Sequence, residues 1–466
     1  MKRTVSLSVF LLVIALVGSA GLAYIKLRSA TIWFDEAITL MTVAGHSLPD
    51  WSSGASQFVG SSSPSQILID LYRIDVHPPL YFWTVAAWRT VAGSSLESIR
   101  ILSALFMLAS IWLLYRVAEG FAIKRPGVVA CIYAFSSTAV AYSYTARSYS
   151  MALFLIILTL YLAQRKSIWA GVAAAASIAT HYFSALCVGP ILLCYFISGW
   201  KENRRWTVQT AILFTACIAP LVPMVLMHFG ARPAQYIAPA SALMELKAAV
   251  KHSLAASFPT SLTGWLTKTS WIALGICALA GAIQASRTRQ WVLWFAPAAF
   301  IAGFLLMALA SHKSITAMPG AYYFGMIVPP MALLIAVGIE VIPPMLAVIA
   351  ALLVTTWAMP MLPVIPAPDS ANYRAIIATI RPHCERCVLV AGIGSGRGVP
   401  GSVTYEAKGL PVLVLDRNVD QIVAQAGQYQ RIYFFPANEG RGVADEEALV
   451  QRLRLQPISG YFESPP

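Results

Sequence analysis

The sequence predicts a multi-pass α-helical membrane protein followed by a small α/β domain outside the membrane. Three observations carry this. Hydrophobic residues make up 58% of the 466-residue chain and charged residues only 11%, whereas soluble domains run at roughly 45–50% and about 25%. Apolar runs of bilayer-crossing length, about 20 residues, recur from the N-terminus to about residue 362. Past Pro366 the pattern changes to short apolar runs alternating with helix-like stretches.

The chain opens "MKRTVSLSVFLLVIALVGSAGLAYIKLRSA". Its basic start and small residues resemble a signal peptide, but the apolar run is about 22 residues, longer than a typical signal core. It reads as an uncleaved first helix, 5–25. Ten further spans follow at 101–119, 127–145, 150–164, 168–181, 183–199, 207–228, 269–286, 291–310, 323–341 and 344–362. The predicted organisation is a membrane domain over 1–363 and an α/β domain over 364–466.

Charge orients these spans. Lys2 and Arg3 precede the first; Arg116, Lys124 and Arg125 close the second; Arg165 and Lys166 follow the fourth; Lys201, Arg204 and Arg205 the sixth; Arg287 and Arg289 the eighth. Every second connection up to the eighth span is basic, as the positive-inside rule requires for a cytoplasmic N-terminus. Eleven spans then place the C-terminal domain outside. The net charge of +13 finds its account in these loops, and no nucleic-acid partner is expected.

Between the first two spans, residues 26–100 are too polar to cross. "PPLYFWTVAAWRTVAG" suits a helix lying in the interface, with Trp83 and Trp88 as its anchors. A second long outer loop, about 229–268, contains "SALMELKAAVKHSLAASF". Leu243, Leu246, Val250 and Leu254 recur there at helical spacing, which predicts an amphipathic surface helix. In the tail, "CVLVAGIGSG", "LPVLVLDR" and "RIYFFPA" read as strands, and "DSANYRAIIATI", "NVDQIVAQAG" and "DEEALVQRLRL" as helices. "AGIGSGRGVPG" lacks the last glycine of a dinucleotide-binding loop and reads as a loop. "HCERC" reads as a local disulfide, the expected state in an oxidising compartment.

With this topology, ionisable groups far apart in sequence reach one outer face. Asp35 and Glu36 lie in "WFDEAIT", Asp75, His77 and Tyr81 in "DVHPPLYFW", Arg147 in "YTARSYS", and His181 in "THYFSAL". Lys313, Tyr322 and Tyr323 lie in "SHKSITAMPGAYYF". Such a gathering at one membrane face suggests a site. Each member also has a plainer reading: Asp75 as a helix cap, Arg147 snorkelling to headgroups, His181 as a hydrogen-bonded structural residue.

Taken together, "WFDEAIT", "HPPLY", "ARSYS" and "THYF", in this order and spacing, resemble the membrane glycosyltransferases of GT-C type that use polyprenyl-phosphate sugars. The resemblance is to bacterial relatives of the protein O-mannosyltransferases and the lipid A aminoarabinose transferase, the RgtA/B/C/D-like branch of glycosyltransferase family 39. It covers about residues 1–200 well. It implies a GT-C fold with interfacial helices in the outer loops, in the bacterial inner membrane, with site and C-terminal domain on the periplasmic side. One departure stands out: where many relatives carry an Arg-Tyr pair before a late helix, this chain has Tyr322–Tyr323 and no arginine, with Lys313 as the nearby cation.

The implied reaction moves a monosaccharide, hexose or pentose, from a polyprenyl-phosphate donor to a hydroxyl of a glycan, lipid or protein acceptor, with inversion. A hydroxyl is a poor nucleophile and needs a base. The resemblance gives that role to Asp35, with Glu36 beside it, about 100° away on a helix. The leaving phosphate needs cationic donors, for which His77, Arg147 and Lys313 are the candidates. Asp75, Tyr81, His181, Tyr322 and Tyr323 are the candidates for holding substrate. No cofactor is expected: a divalent metal fits the Asp, Glu and His residues in kind, but no metal-binding spacing appears, and none is expected to be essential. The rival classes are a transporter or flippase, whose charges would line a midplane path, and a polymerase or ligase of lipid-linked glycans. Membrane lipids surround the protein in every case.

Overall fold

The structure, a computed structural model, describes residues 2–46, 56–73, 77–230, 241–257, 264–311, 323–345, 348, 373–392, 398–416, 418–437, 443–458 and 461–464. Two compact units emerge from the contacts within it. The first comprises Met1–Arg28, Val76–Tyr81 and Ile99–Ile365, and the second Ser29–Asp75, Phe82–Ser98 and Pro366–Pro466. The tail thus shares its unit with segments that lie some 300 residues earlier.

The first unit is helical. Among the described residues, five helices are long and apolar enough to cross a membrane: Leu7–Leu27, Leu96–Gly120, Tyr182–Glu202, Arg204–His228 and Val292–Ala310. Four shorter apolar helices cover Tyr149–Gln164, Trp169–Thr180, Trp271–Arg287 and Gly325–Val341. The expected span at 127–145 is not one straight helix. It is Pro126–Ala134 and Ser137–Ser143, bent by 66° at the break between them. The cause is local: the Ser136 hydroxyl donates to the Tyr133 carbonyl (2.7 Å) and accepts from the Ala139 amide (3.3 Å), so a side chain takes over where the backbone ladder stops. These elements account for ten of the eleven expected runs; the one at 344–362 lies almost wholly outside the described residues.

Packing follows composition. Phe10, Val13 and Val17 of the first helix stay exposed, a surface suited to lipid. Tyr149–Gln164 is instead buried on most of its circumference. It lies against the alanine-rich Trp169–Thr180, whose small side chains permit a close approach. The helices Gly264–Arg287 and Val328–Val341 cross at backbone contact, since a Cβ on Gly281 or Gly338 would strike the main chain of the other helix.

The amphipathic helix expected near 241–258 is present as Ala242–Ser257, with two unlike faces. Ala248, Ala249, Ser253 and Ala256 are buried, while Leu243, Leu246 and Val250 are exposed. The small-residue face packs on Val292–Ser311, and the leucine stripe points outward. In a bilayer the outward face also meets an apolar medium, so the usual rule that apolar residues turn inward loses its force.

The second unit is built on a five-stranded sheet, β1 Cys387–Gly392, β2 Val412–Leu415, β3 Arg431–Phe435, β4 Gln456–Ile458 and β5 Tyr461–Glu463, in the order β2-β1-β3-β5-β4. β1 runs parallel to β2 and β3, with Leu389 opposite Val412 and Tyr433, and β5 turns antiparallel on β3. β1 is buried along its length, as a central parallel strand must be. Tyr373–Ile380, Val419–Ala426 and Val443–Arg452 are the three expected helices. A fourth, Gly398–Ala407, begins inside the stretch read as a loop, and the β4–β5 pair was not expected. Cys384 and Cys387 are bonded as a disulfide. The same unit holds the helices Phe34–Ala44 and Pro64–Arg73 and most of Leu80–Ala92.

Candidate active site

In the first unit, the bent pair of helices ends at Ser143, and the next helix starts at Tyr149. Residues 144–148 are the turn between them, tightened by the Arg147 amide donating to the Thr145 carbonyl (2.8 Å). The polar run "YTARS" thereby interrupts two apolar helices and carries Arg147 inward, where it is 2% exposed. Its Nη2 lies 2.8 Å from Nε2 and 3.3 Å from Nδ1 of His77. A guanidinium only donates, so the ring nitrogen facing it accepts. His77 precedes Pro78 and Pro79, both buried, and the helix that begins at Leu80. Two prolines restrict the backbone there, which fixes the ring's approach. Tyr81, in the first turn of that helix, is fully buried.

His181 joins this pair. It caps Trp169–Thr180 in an extended conformation, with its amide donating to the Ser177 carbonyl (3.0 Å). Its ring lies 6.2 Å from that of His77, 5.4 Å from Tyr149, 5.5 Å from Phe183 and 6.4 Å from Tyr323. The residue is 4% exposed, and neither ring nitrogen meets a hydrogen-bond partner among the described residues. Tyr149 in turn stacks on Tyr142 at 4.6 Å, and Tyr323 meets Phe183 edge-on at 5.2 Å. Gly325 completes the wall, because a Cβ there would collide with the Tyr142 ring. The result is a buried guanidinium and two imidazoles within an aromatic enclosure. Such a donor set suits an oxyanion, and aromatic faces suit the C–H faces of a sugar.

Asp35 and Glu36 belong to the second unit. They occupy the first turn of Phe34–Ala44, where negative charge is favoured by the helix dipole. Glu36 is 1% exposed and its Oε2 accepts the Trp33 amide at 3.3 Å, closing the turn that presents Asp35. Asp35 itself is half-buried. The two acids therefore differ in burial: Glu36 is enclosed and bonded to the backbone, and Asp35 is partly exposed.

Of the ten residues singled out from sequence, the structure gathers His77, Arg147, His181 and Tyr323. Asp75, Lys313 and Tyr322 lie outside the described residues. Tyr142, Tyr149, Phe183 and Gly325 escaped the sequence reading, although Tyr142 and Tyr149 flank the polar run on either side, a detectable signal. Among the described residues no three His, Cys, Asp or Glu side chains gather as a metal-ligand set.

Residues 76–229 match the family of dolichyl-phosphate-mannose-protein mannosyltransferases. No curated protein matches the chain in sequence at a significant level. The structure of ArnT from Cupriavidus metallidurans in the apo state superposes with a TM-score of 0.57, covering 97% of this chain and 98% of that one at 11% identity. The chain has an ArnT-like fold. The same ArnT bound to undecaprenyl phosphate is similar to an equal extent, with a TM-score of 0.56, 12% identity and coverage of 97% and 99%. In that fold, then, the match with the mannosyltransferase family falls on the segment that contains His77, Arg147, Tyr149 and His181.

Proposed function

We propose that this protein is an inverting glycosyltransferase that moves a monosaccharide from a polyprenyl-phosphate donor to a hydroxyl of a glycan, lipid or protein acceptor at the outer face of the bacterial inner membrane. The observation that carries this is the hydrogen bond between the buried Arg147 and His77, 2.8 Å long, in a fold shared with a protein that binds undecaprenyl phosphate. A guanidinium carries five N–H donors and can serve more than one acceptor at once, and a lipid-linked phosphate is an acceptor that an apolar surround would still admit. Arg147 and His77 bind and stabilise the phosphate as its charge grows on leaving, with Lys313 as a further cation. His181, with Tyr81, Tyr322, Tyr323 and Asp75, holds the sugar or the acceptor. Asp35 takes the proton of the acceptor hydroxyl as that oxygen attacks the anomeric carbon. Single displacement with one base and no protein nucleophile inverts the configuration. No metal is required by this scheme, since the donor has one phosphate.

The test is transfer by the purified protein with a synthetic polyprenyl-phosphate sugar, wild type against Asp35→Asn. The expected loss is about 10²–10⁴-fold, the usual worth of a general base. A folded Asp35→Asn variant at wild-type rate would remove the base assignment. Use of a nucleotide sugar, with none of the lipid donor, would remove the donor class.

A further inference from the structure

The second unit contains a contact that none of the chemistry above uses. The Ser402 hydroxyl donates to the Ile32 carbonyl at 2.8 Å, across 370 residues of sequence. Both residues are buried, Ser402 fully and Ile32 at 1% exposed. The next atom group along the chain is the Trp33 amide, which donates to Glu36 Oε2. The peptide unit between Ile32 and Trp33 is thus held at both its polar ends, by a side chain of the tail and by the acid beside Asp35. Asp35 follows two residues later, in the first helical turn, where the Glu36 and Ala37 amides donate to the Trp33 carbonyl at 3.0 and 3.1 Å. Around this point the helices Phe34–Ala44 and Gly398–Ala407 pack together, and Tyr405 meets Phe58 edge-on at 5.2 Å. A second tie joins the same tail helix to the first turn of Leu96–Gly120: Arg374 binds Glu406 at 3.1 Å and reaches Glu97 at 3.8 Å.

We propose that the helix Gly398–Ala407 of the C-terminal domain positions Asp35, and that Ser402 is the positioning residue. A free hydroxyl-bearing helix would have no reason to bury its serine against one main-chain carbonyl. A buried hydrogen bond of this kind fixes direction as well as distance, and it acts at the N-cap, where the entry angle of the Phe34–Ala44 helix is set. Loosening it tilts the first turn and moves the Asp35 carboxylate. The tail domain then has a task in the reaction. This inference rests on Asp35 being the base.

The experiment is a two-by-two set in the full-length protein: wild type, Ser402→Ala, Asp35→Asn, and both changes together. Transfer is followed with a radiolabelled polyprenyl-phosphate sugar. Alanine removes the donor and keeps nearly all the volume, so melting temperature and membrane yield should stay near wild type. A misplacement of about 1 Å can cost about 10²-fold. The expected result is a kcat lowered about ten- to hundredfold in Ser402→Ala with donor KM changed less than about twofold. In the Asp35→Asn background the same change should have less than about a twofold effect, because there is no base left to misplace. An equal loss in both backgrounds would show a general structural role, and wild-type kcat in Ser402→Ala would show none; either overturns the inference while leaving Asp35 as the base. Full activity of Asp35→Asn overturns both. Should Ser402→Ala not reach the membrane, Tyr405→Leu removes the neighbouring contact with Phe58 and is read in the same cycle. It should lower kcat at least about fivefold, again only where Asp35 is present.

Discussion

Replacing Arg147 tests the phosphate role most directly. The guanidinium is 2% exposed and shares a 2.8 Å hydrogen bond with His77. In Arg147→Ala that bond disappears, and with it the bond to the donor phosphate proposed above. Hydrogen bonds to charged groups contribute roughly 1.5–3 kcal/mol each. The loss of one such bond in the transition state lowers kcat/KM about 10- to 150-fold, since about 1.4 kcal/mol is a factor of ten. Arg147→Lys keeps the charge but not the planar fork, and an ammonium cannot bridge an imidazole and a phosphate in the same plane. It should recover only part of the loss. The assay is transfer by purified protein in nanodiscs, with donor and acceptor varied separately and folding checked by size-exclusion chromatography. The defect should appear in kcat and in kcat/KM for the donor. Full activity of Arg147→Lys would mean that a diffuse positive charge suffices, as for a side chain reaching to headgroups. A defect confined to the acceptor KM would place Arg147 elsewhere in the reaction.

Three further outcomes are expected. Gly325→Ala should destabilise the protein by about 1–3 kcal/mol, the usual cost of overpacking, and reduce transfer, because the added methyl must push Tyr142 away from its stack on Tyr149; a thermal melt and the same assay check both. Arg374→Ala should cost the second unit about 2 kcal/mol, less than the 3–5 of a fully buried pair, because Arg374 is 27% exposed while Glu406 is 3% exposed; limited proteolysis of the tail reads this, and Arg374→Lys should restore part of it. A cysteine placed at Lys124 should react with impermeant reagents only from the cytoplasmic side, as its basic neighbourhood requires; labelling from outside alone would reverse the orientation.

The long spans were legible because hydropathy averages over about 20 residues and tolerates local error. The parallel strands were legible because β1, buried along its length, must be apolar throughout. The bend at Ser136 was not, because its cause is one hydroxyl amid residues of nearly uniform hydropathy. The helix Ala242–Ser257 was legible from its leucine spacing, but which face packs was not, because in a membrane small residues mark the packed side and large ones the outer side. The β4–β5 pair is only three residues on each strand, too short for alternation to register. At the site, Arg147 and His181 announced themselves as polar groups between apolar runs. The aromatic enclosure did not, since Tyr and Phe are ordinary in such helices and only their rotation about the helix axis brings Tyr142, Tyr149, Phe183 and Tyr323 together.

The pairing of Arg147 with a residue 70 positions earlier also bears on how the chain is made. At about 5–20 residues per second, His77 leaves the ribosome roughly 4–14 s before Arg147. An arginine entering a bilayer unaccompanied costs about 2.5–3.5 kcal/mol on insertion scales. Here its partner has been synthesised first, on the stretch of chain that follows the first span. The bent pair of helices and Tyr149–Gln164 can then leave the translocon with the charge already met. The order of the motifs along the gene is, on this view, also an order of assembly, and a circularly permuted chain that delivered Arg147 before His77 would be expected to insert poorly even if its final fold were unchanged.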